Sequence, residues 1–252
     1  MPIRNLGVTE QSWETYFDDL QNQTFRIYNT PLTTGQTLDC NQGKGQVAIN
    51  LSETYDVSGY NIDPNFKMDF AFHGTCGIVS CVNLLRLAGR SETTEQEVLE
   101  YAWNHELCYG HNIEIKNNRI FYIPGYFGGT TPYMRKFILS HFGLPSNTVV
   151  VNPDADLAIA DIAGFVSEGR GVILSVHASV LWGEVEEADP HAKDHHAITV
   201  TSVQMDSDNQ ITGFYICDSG THKDDYARFC SADLIKRSLT GTHMNVTDII
   251  IR

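Results

Sequence analysis

The hydrophobic and polar positions give the middle of the chain a helical period. From residue 76 to 88 the apolar side chains fall on one broad face, and Gly89 follows as a C-terminal stop, so this segment is predicted to be helical. Thr94 and Glu97 have capping-box spacing, which predicts a second helix that ends near Leu107. Two further helices are predicted, one from the Thr131-Pro132 pair to Gly143 and one over residues 156–166.

Beyond Gly171 the apolar positions change to the alternation and short runs that are typical of strands. Strands are predicted over residues 172–176, 197–203, 211–217 and 246–251, with a short helix at 232–239. The polar residues 204–210 lie between the second and third strands, so these two strands are predicted to form a hairpin. Helices followed by an antiparallel sheet indicate the α+β class.

The first 70 residues have a different character. They are rich in Thr, Asn, Gly and Gln, and only residues 25–28 and 47–51 look like short strands. We therefore expect residues 1–70 to be an N-terminal extension of short strands and loops that packs on a single domain formed by residues 71–252. A chain of 252 residues is long enough to bury a substantial core.

Composition excludes some classes of function. The net charge of −14 argues against a nucleic-acid partner, which would require clustered Lys and Arg side chains. Hydrophobic residues at 42% and charged residues at 19% are ordinary for a soluble protein, and no apolar run is long enough to span a membrane. Without a recognisable cleaved leader, we expect a cytoplasmic protein or one exported by another route.

The six cysteines are scattered along the chain and form no CxxC pair, so neither a structural zinc site nor a disulfide framework is expected. Cys76 differs from the others because it opens a predicted helix between Gly74 and Gly77. The free amides and dipole of a helix N-terminus favour the thiolate, and the Cys76 amide could bind a developing oxyanion. The alternative is a buried structural cysteine, which is the interpretation that we give Cys81.

A histidine and an aspartate mark one end of the predicted hairpin. His196 immediately precedes the first strand, and Asp218 immediately follows the second. If the strands pair, the two side chains become neighbours. A carboxylate beside an imidazole fixes the tautomer and stabilises the imidazolium, which a base that activates a thiol requires. The alternative is that His196 merely starts a strand and Asp218 merely starts a turn.

The loop before His196 offers a different chemistry. His191 and His195 are four residues apart, and together with Asp194 they are the candidate ligands of a metal-dependent hydrolase. Pro190 disfavours the helix that would bring the two histidines to one face. A solvated acidic loop beside the active cleft, favouring a basic substrate, is the alternative interpretation.

Four stretches occur in the order found in the papain-like cysteine peptidase superfamily. They most resemble its bacterial branch of bacteriocin leader-processing (double-glycine) peptidases and related effector toxins. The resemblance covers about residues 70–222. It implies a papain-like fold, with a central helix that carries the cysteine followed by an antiparallel sheet that carries the histidine and aspartate. The four stretches are GTCGIVSCVNLLRLAG (74–89), GRGVILSV (169–176), HAITVTSV (196–203) and GFYICDSG (213–220).

Carried over to this chain, the resemblance implies that Cys76 is the nucleophile, His196 the general base and later acid, and Asp218 the residue that orients His196. It makes residues 71–252 the catalytic domain. The glutamine that usually completes the oxyanion hole of the family is Phe70 here, and the usual Asp-Pro is Asp218-Ser219. The remaining candidates for oxyanion or substrate binding are Gly77, Gly74, His73, Gln46 and Trp182.

Three functional hypotheses follow. The first is a cysteine-dependent hydrolase acting on a peptide or protein without a cofactor, with glutamine deamidation or acyl transfer by the same triad as its close alternative. The second is a papain-like binding module without turnover, which Phe70 favours. The third is the metal-dependent hydrolase. The first hypothesis predicts loss of activity in Cys76→Ala and His196→Ala, and a milder loss in Asp218→Asn.

Overall fold

The structure is a computed structural model. It describes residues 26–29, 38, 48–50, 69–71, 74–109, 113–116, 119–122, 128–187, 189, 194–220 and 228–251. The helices are α1 (Cys76–Leu87), α2 (Glu95–Asn104), α3 (Pro132–His141), α4 (Ala155–Ser167), α5 (Ala178–Leu181) and α6 (Ala232–Ser238). The strands are β1 (Arg26–Asn29), β2 (Ala48–Asn50), β3 (Asp69–Ala71), β4 (Ile113–Lys116), β5 (Arg119–Tyr122), β6 (Ser146–Val150), β7 (Arg170–His177), β8 (His195–Met205), β9 (Ile211–Cys217), β10 (Arg228–Ser231) and β11 (His243–Ile250).

The helix starts follow the capping residues in the sequence. Thr94 accepts a hydrogen bond from the Glu97 amide at 3.2 Å at the start of α2. Thr131 accepts one from the Met134 amide at 3.2 Å, with Pro132 as the first residue of α3. These side chains satisfy backbone donors that a helix leaves unpaired, so the predictions of α2 and α3 are confirmed.

The main sheet is antiparallel, with the strand order β10-β9-β8-β7-β11-β6, and β1 also pairs with β8. β8 and β9 pair across the polar turn, with Thr199 opposite Cys217, which confirms the predicted hairpin. The fold class is therefore α+β, and the helix that carries Cys76 precedes the sheet, as predicted. The domain boundary at residue 70 stays a prediction.

Helices pack on both faces of the sheet. Ile173 and Ala197 belong to the same apolar core as residues of α1, α2 and α3, whereas their neighbours Val172 and Ile198 belong to a second core with residues of α4 and α6. This alternation is the period of two that a strand imposes on its side chains. Burial of each Leu, Ile or Val side chain contributes about 1.5–3 kcal/mol to stability.

Helix α1 is more deeply buried than an amphipathic pattern predicts. Its residues from Gly77 to Leu85 are buried on every side, and two of them are polar. Asn83 Nδ2 lies 3.3 Å from Cys217 Sγ, and the Ser80 carbonyl accepts a hydrogen bond from Thr199 at 3.4 Å. These bonds to β8 and β9 tie the cysteine helix to the predicted hairpin.

Several elements of the structure were not predicted, and each is too short for a period to appear in the sequence. They are β3, β4, β5, β6, β10 and α5, of three to five residues each. β11 begins at His243, three residues earlier than the predicted strand, because His243 pairs with Val150 of β6. Within the described ranges, no helix has the length and apolar character needed to cross a membrane.

Candidate active site

Cys76 is the first residue of α1 and is half buried. The residue before it, Thr75, does not cap the helix with its side chain, because its hydroxyl donates instead to the buried Glu95 carboxylate. The Thr75 side chain therefore accepts no hydrogen bond from the first amides of α1. A helix N-terminus is in general a position that stabilises a negative charge, because its dipole is positive at that end.

His196 and Asp218 meet at one end of the β8–β9 hairpin. His196 is the second residue of β8 and Asp218 directly follows β9, so their positions are fixed by the pairing of the two strands. His196 Nε2 lies 2.7 Å from Asp218 Oδ1, and the two residues are 6% and 0% exposed. The other ring nitrogen, Nδ1, is then the atom that forms the hydrogen bond with Cys76.

Among the described residues, four groups donate hydrogen bonds to Asp218. Besides His196, they are Trp182 Nε1 at 2.9 Å, Arg228 Nη2 at 3.2 Å and the Gly220 amide at 2.9 Å. Burial would raise the pKa of Asp218, but the hydrogen bond and charge of His196, with the bonds from Trp182 and the Gly220 amide, outweigh it and lower the pKa to about 2. The carboxylate is therefore ionised at neutral pH, which favours a positive charge on His196.

The pKa of Cys76 is lowered and the pKa of His196 is raised, so that each group favours its own charged form. Burial alone would raise the pKa of the Cys76 thiol, but the hydrogen bond and charge of His196, with the Ala197 amide, lower it below its usual range. Burial would lower the pKa of His196, but Asp218 and Cys76 raise it to about 10. A thiolate paired with an imidazolium is therefore favoured over the neutral pair at neutral pH.

Trp182 and Gly220 enclose the His196–Asp218 hydrogen bond. The Trp182 and His196 rings lie 5.6 Å apart, and Trp182 remains 39% exposed. A Cβ atom on Gly220 would come within 2.7 Å of Trp182 Cζ2 and 3.1 Å of His196 Cε1. This close approach of the backbone is possible only for glycine, so Gly220 lets Trp182 cover the histidine.

The structure thus brings Cys76, His196, Asp218 and Trp182 together, while their chemical roles stay predictions. Gly77 is buried and packs against Thr130 and Arg135 rather than bordering open space. Its neighbour Gly74 is half buried, and a substrate-binding role for either glycine stays a prediction. His73 and Gln46 lie outside the described residues, and Phe70 is described only as backbone, in β3.

Two of the three candidate metal ligands, Asp194 and His195, are described by the structure, and both contact other protein groups. Asp194 accepts hydrogen bonds from the Ser179 hydroxyl and, at 3.0 Å, from the Ser179 amide, and it lies 2.8 Å from His177 Nδ1. His195 Nδ1 lies 3.4 Å from Thr240 Oγ1, and His191 lies outside the described residues. In the described part of the chain, no three His, Cys, Asp or Glu side chains are grouped as metal ligands would be.

The sequence analysis did not identify one charged residue that lies beside the site. Arg135 lies on α3, is 2% exposed and influences the charge of Cys76. A signal was available in the sequence, because Arg135 precedes Ile138 and Leu139 by three and four residues and so shares their apolar face. A charged residue on the buried face of a helix is rare without a structural or functional reason.

No family model matches the chain, and a comparison with curated proteins gives no match either. Among solved structures, the chain is similar to a Bacillus anthracis protein provisionally described as a C39-like peptidase. That similarity has a TM-score of 0.49 at 11% identity and covers 78% of this chain and 97% of the other. At these values it does not assign a function to this chain.

Proposed function

We propose that this chain is a papain-like cysteine hydrolase that acts on a peptide or protein substrate through Cys76, His196 and Asp218. The observation that supports it most is the position of His196, which hydrogen-bonds Asp218 through one ring nitrogen and Cys76 through the other. That arrangement is the thiol–base–orienting group constellation of acyl transfer. The resemblance of the sequence motifs to leader-processing peptidases favours a peptide as the substrate.

The proposed reaction has two halves. The Cys76 thiolate attacks a carbonyl carbon, and the Cys76 amide stabilises the resulting oxyanion. His196 Nδ1 gives its proton to the leaving amine as the C–N bond breaks, which leaves an acyl group on Cys76 Sγ. His196 then takes a proton from water, the hydroxide attacks the thioester carbonyl, and the acid leaves as the thiolate is restored.

The first test is the rate of iodoacetamide alkylation of Cys76 against pH, measured for each cysteine separately by mass spectrometry. We expect Cys76 to react fast in mildly acidic buffer, because a thiolate paired with imidazolium persists below the usual thiol pKa of ~8.5. The buried Cys81 and Cys108 serve as internal controls, since burial raises the pKa of each to about 12. In His196→Ala the Cys76 profile should return to that of an ordinary thiol.

The second test identifies the reaction. The wild type, Cys76→Ala and His196→Ala are incubated with a peptide mixture, and mass spectrometry detects new N-termini. We expect new termini with the wild type and a fall in their rate of at least about 10⁴-fold in either variant. Conversion of Gln to Glu without cleavage would instead assign the triad to deamidation. If Cys76 of the wild type is alkylated like an ordinary thiol, the enzyme hypothesis is contradicted and the hypothesis of a binding module without turnover is favoured.

A further inference from the structure

Arg135 is a buried cation fixed by two neutral hydrogen-bond acceptors. Its Nε donates to Asn245 Oδ1 at 2.8 Å, and its Nη2 donates to Ser175 Oγ at 3.0 Å. The amide nitrogen of Asn245 donates to the Pro132 carbonyl at 2.7 Å, so Asn245 is held with its oxygen toward Arg135. The guanidinium therefore has a single position, set by α3, β7 and β11.

A buried charge is expensive unless an opposite charge compensates for it. Within the described residues, none of the ion pairs involves Arg135, and both of its hydrogen-bond acceptors are neutral. The acidic groups that act on its charge are the thiols of Cys76 and Cys81. Ionised Cys76 would thus supply the negative charge that the surroundings of Arg135 otherwise lack.

Arg135 is connected to Cys76 through two of its neighbours. Its Cδ lies 3.3 Å from the position that a Cβ atom on Gly77 would take, next to Cys76 in α1. Its other contact, Ser175, lies opposite Ala197 in the β7–β8 pair. The Ala197 amide in turn donates a hydrogen bond to Cys76 Sγ.

We propose that Arg135 is a positioning residue for the Cys76–His196 pair. Its fixed charge stabilises the Cys76 thiolate, and its contacts with Ser175 and Gly77 hold β7 and α1 in place beside that thiolate. This inference rests on the proposed function and deepens it. Position 135 would then have a role in setting the reactivity of Cys76 without contacting the substrate.

Cys81 shows that the charge of Arg135 is not sufficient to ionise a buried thiol. The same guanidinium acts on Cys81, yet burial dominates there and raises the thiol pKa to about 12. Arg135 alone therefore does not ionise a buried thiol, and His196 has to contribute at Cys76. We accordingly expect loss of Arg135 to shift the ionisation of Cys76 without abolishing the response to His196.

The test is the pH midpoint of Cys76 alkylation in folded Arg135→Met and Arg135→Lys proteins. A neutral side chain of similar length should raise the midpoint by about 1 pH unit or more, because a nearby positive charge has been removed. Lysine keeps the charge but loses the planar fork that binds Asn245 and Ser175, so its midpoint should lie between wild type and Met. Arg86→Met is the matched control, since Arg86 donates to the Thr93 carbonyl elsewhere in the fold, and it should leave the midpoint unchanged.

A purely structural role would reduce the amount of folded protein without moving the midpoint. A folded Arg135→Met protein with the wild-type midpoint therefore overturns this inference, while the low midpoint of the wild type itself would still support the proposed function. If Arg135→Met does not fold, Ser175→Ala replaces it, and we expect a smaller rise in the midpoint. Unchanged midpoints in both Ser175→Ala and Arg135→Lys overturn the inference as well.

Discussion

Cys76 and Cys81 lie five residues apart on α1 and both interact with Arg135, but their chemistry differs. Cys81 is fully buried within the helix, so the loss of hydration dominates and its thiol stays protonated. Cys76 lies at the helix start, where His196 and the Ala197 amide outweigh the same effect of burial. The reactivity of a cysteine in this protein is therefore decided by its few nearest polar neighbours.

At the same scale, Gly220→Ala tests the packing around His196. The added methyl group would come within 2.7 Å of Trp182 and 3.1 Å of His196, so one of these rings must move. We expect kcat/KM to fall at least about 10-fold, which corresponds to about 1.4 kcal/mol of transition-state stabilisation. Circular dichroism should show an unchanged fold, and undiminished activity would contradict a tight enclosure of His196.

The hairpin of β8 and β9 positions most of the site. β8 carries His196 and the Ala197 amide that donates to Cys76, and Asp218 follows β9 directly. The same strand holds α1 through the bond from Thr199 to the Ser80 carbonyl. One pair of strands thus places His196, Asp218 and the helix that carries Cys76.

Helix α4, on the opposite face of the sheet, offers a test of whether stability and activity are separable. Gly164 is exposed at the start of the last turn of this helix, and a Cβ atom there would meet no atom of the rest of the protein within 4 Å. Gly164→Ala should raise the free energy of unfolding by about 0.5–1 kcal/mol, because alanine loses less conformational freedom on folding. Urea unfolding measures the gain, and Cys76 alkylation should be unchanged. A loss of stability would show that Gly164 has contacts beyond the described ones.

For the whole molecule, the sheet separates two apolar cores and the candidate site lies at the end of the strands that both cores share. Val176 pairs with His196, so the end of β7 lies beside the site. Because alternate residues of β7 and β8 belong to the two cores, packing on both faces of the sheet fixes the strands that carry the site. The buried ion pairs at this place link the stability of the molecule to pH.

One such link is Asp218, whose pKa in the folded state is lowered to about 2 from an unfolded value of ~3.9. A depressed pKa adds stability that is fully present above the unfolded value and is lost as the pH falls through the folded value. Between about pH 4 and pH 2 we therefore expect the wild type to lose on the order of 2 kcal/mol of unfolding free energy from this group.

Urea unfolding of Asp218→Asn over the same pH range provides the check, because asparagine does not titrate there. The variant should be less stable than wild type at neutral pH and should lose less stability on acidification. Asp208→Asn, in the exposed turn between β8 and β9, is the matched control and should keep the wild-type slope. Equal slopes in Asp218→Asn and wild type would contradict a strongly depressed pKa for Asp218.

By itself, the sequence determined the local features of this protein. Capping residues such as Thr94 and Thr131 located helix starts, and the polar run at 204–210 located the hairpin that brings His196 to Asp218. These are short-range effects, because a cap or a tight turn depends on a few consecutive residues. The same locality made the three candidate catalytic residues recognisable in order along the chain.

Only the tertiary structure decided what surrounds those residues. Arg135, Ser175 and Asn245 come from three separate elements and meet through packing, so no sequence spacing connects them. The four donors to Asp218 likewise depend on the approach of Trp182 and Arg228 to the hairpin. The pKa values of Cys76 and His196 depend in the same way on packing, because burial and the approach of Cys76 on α1 to His196 on β8 join residues far apart in the sequence. Electrostatic effects depend on distance in space, not along the chain.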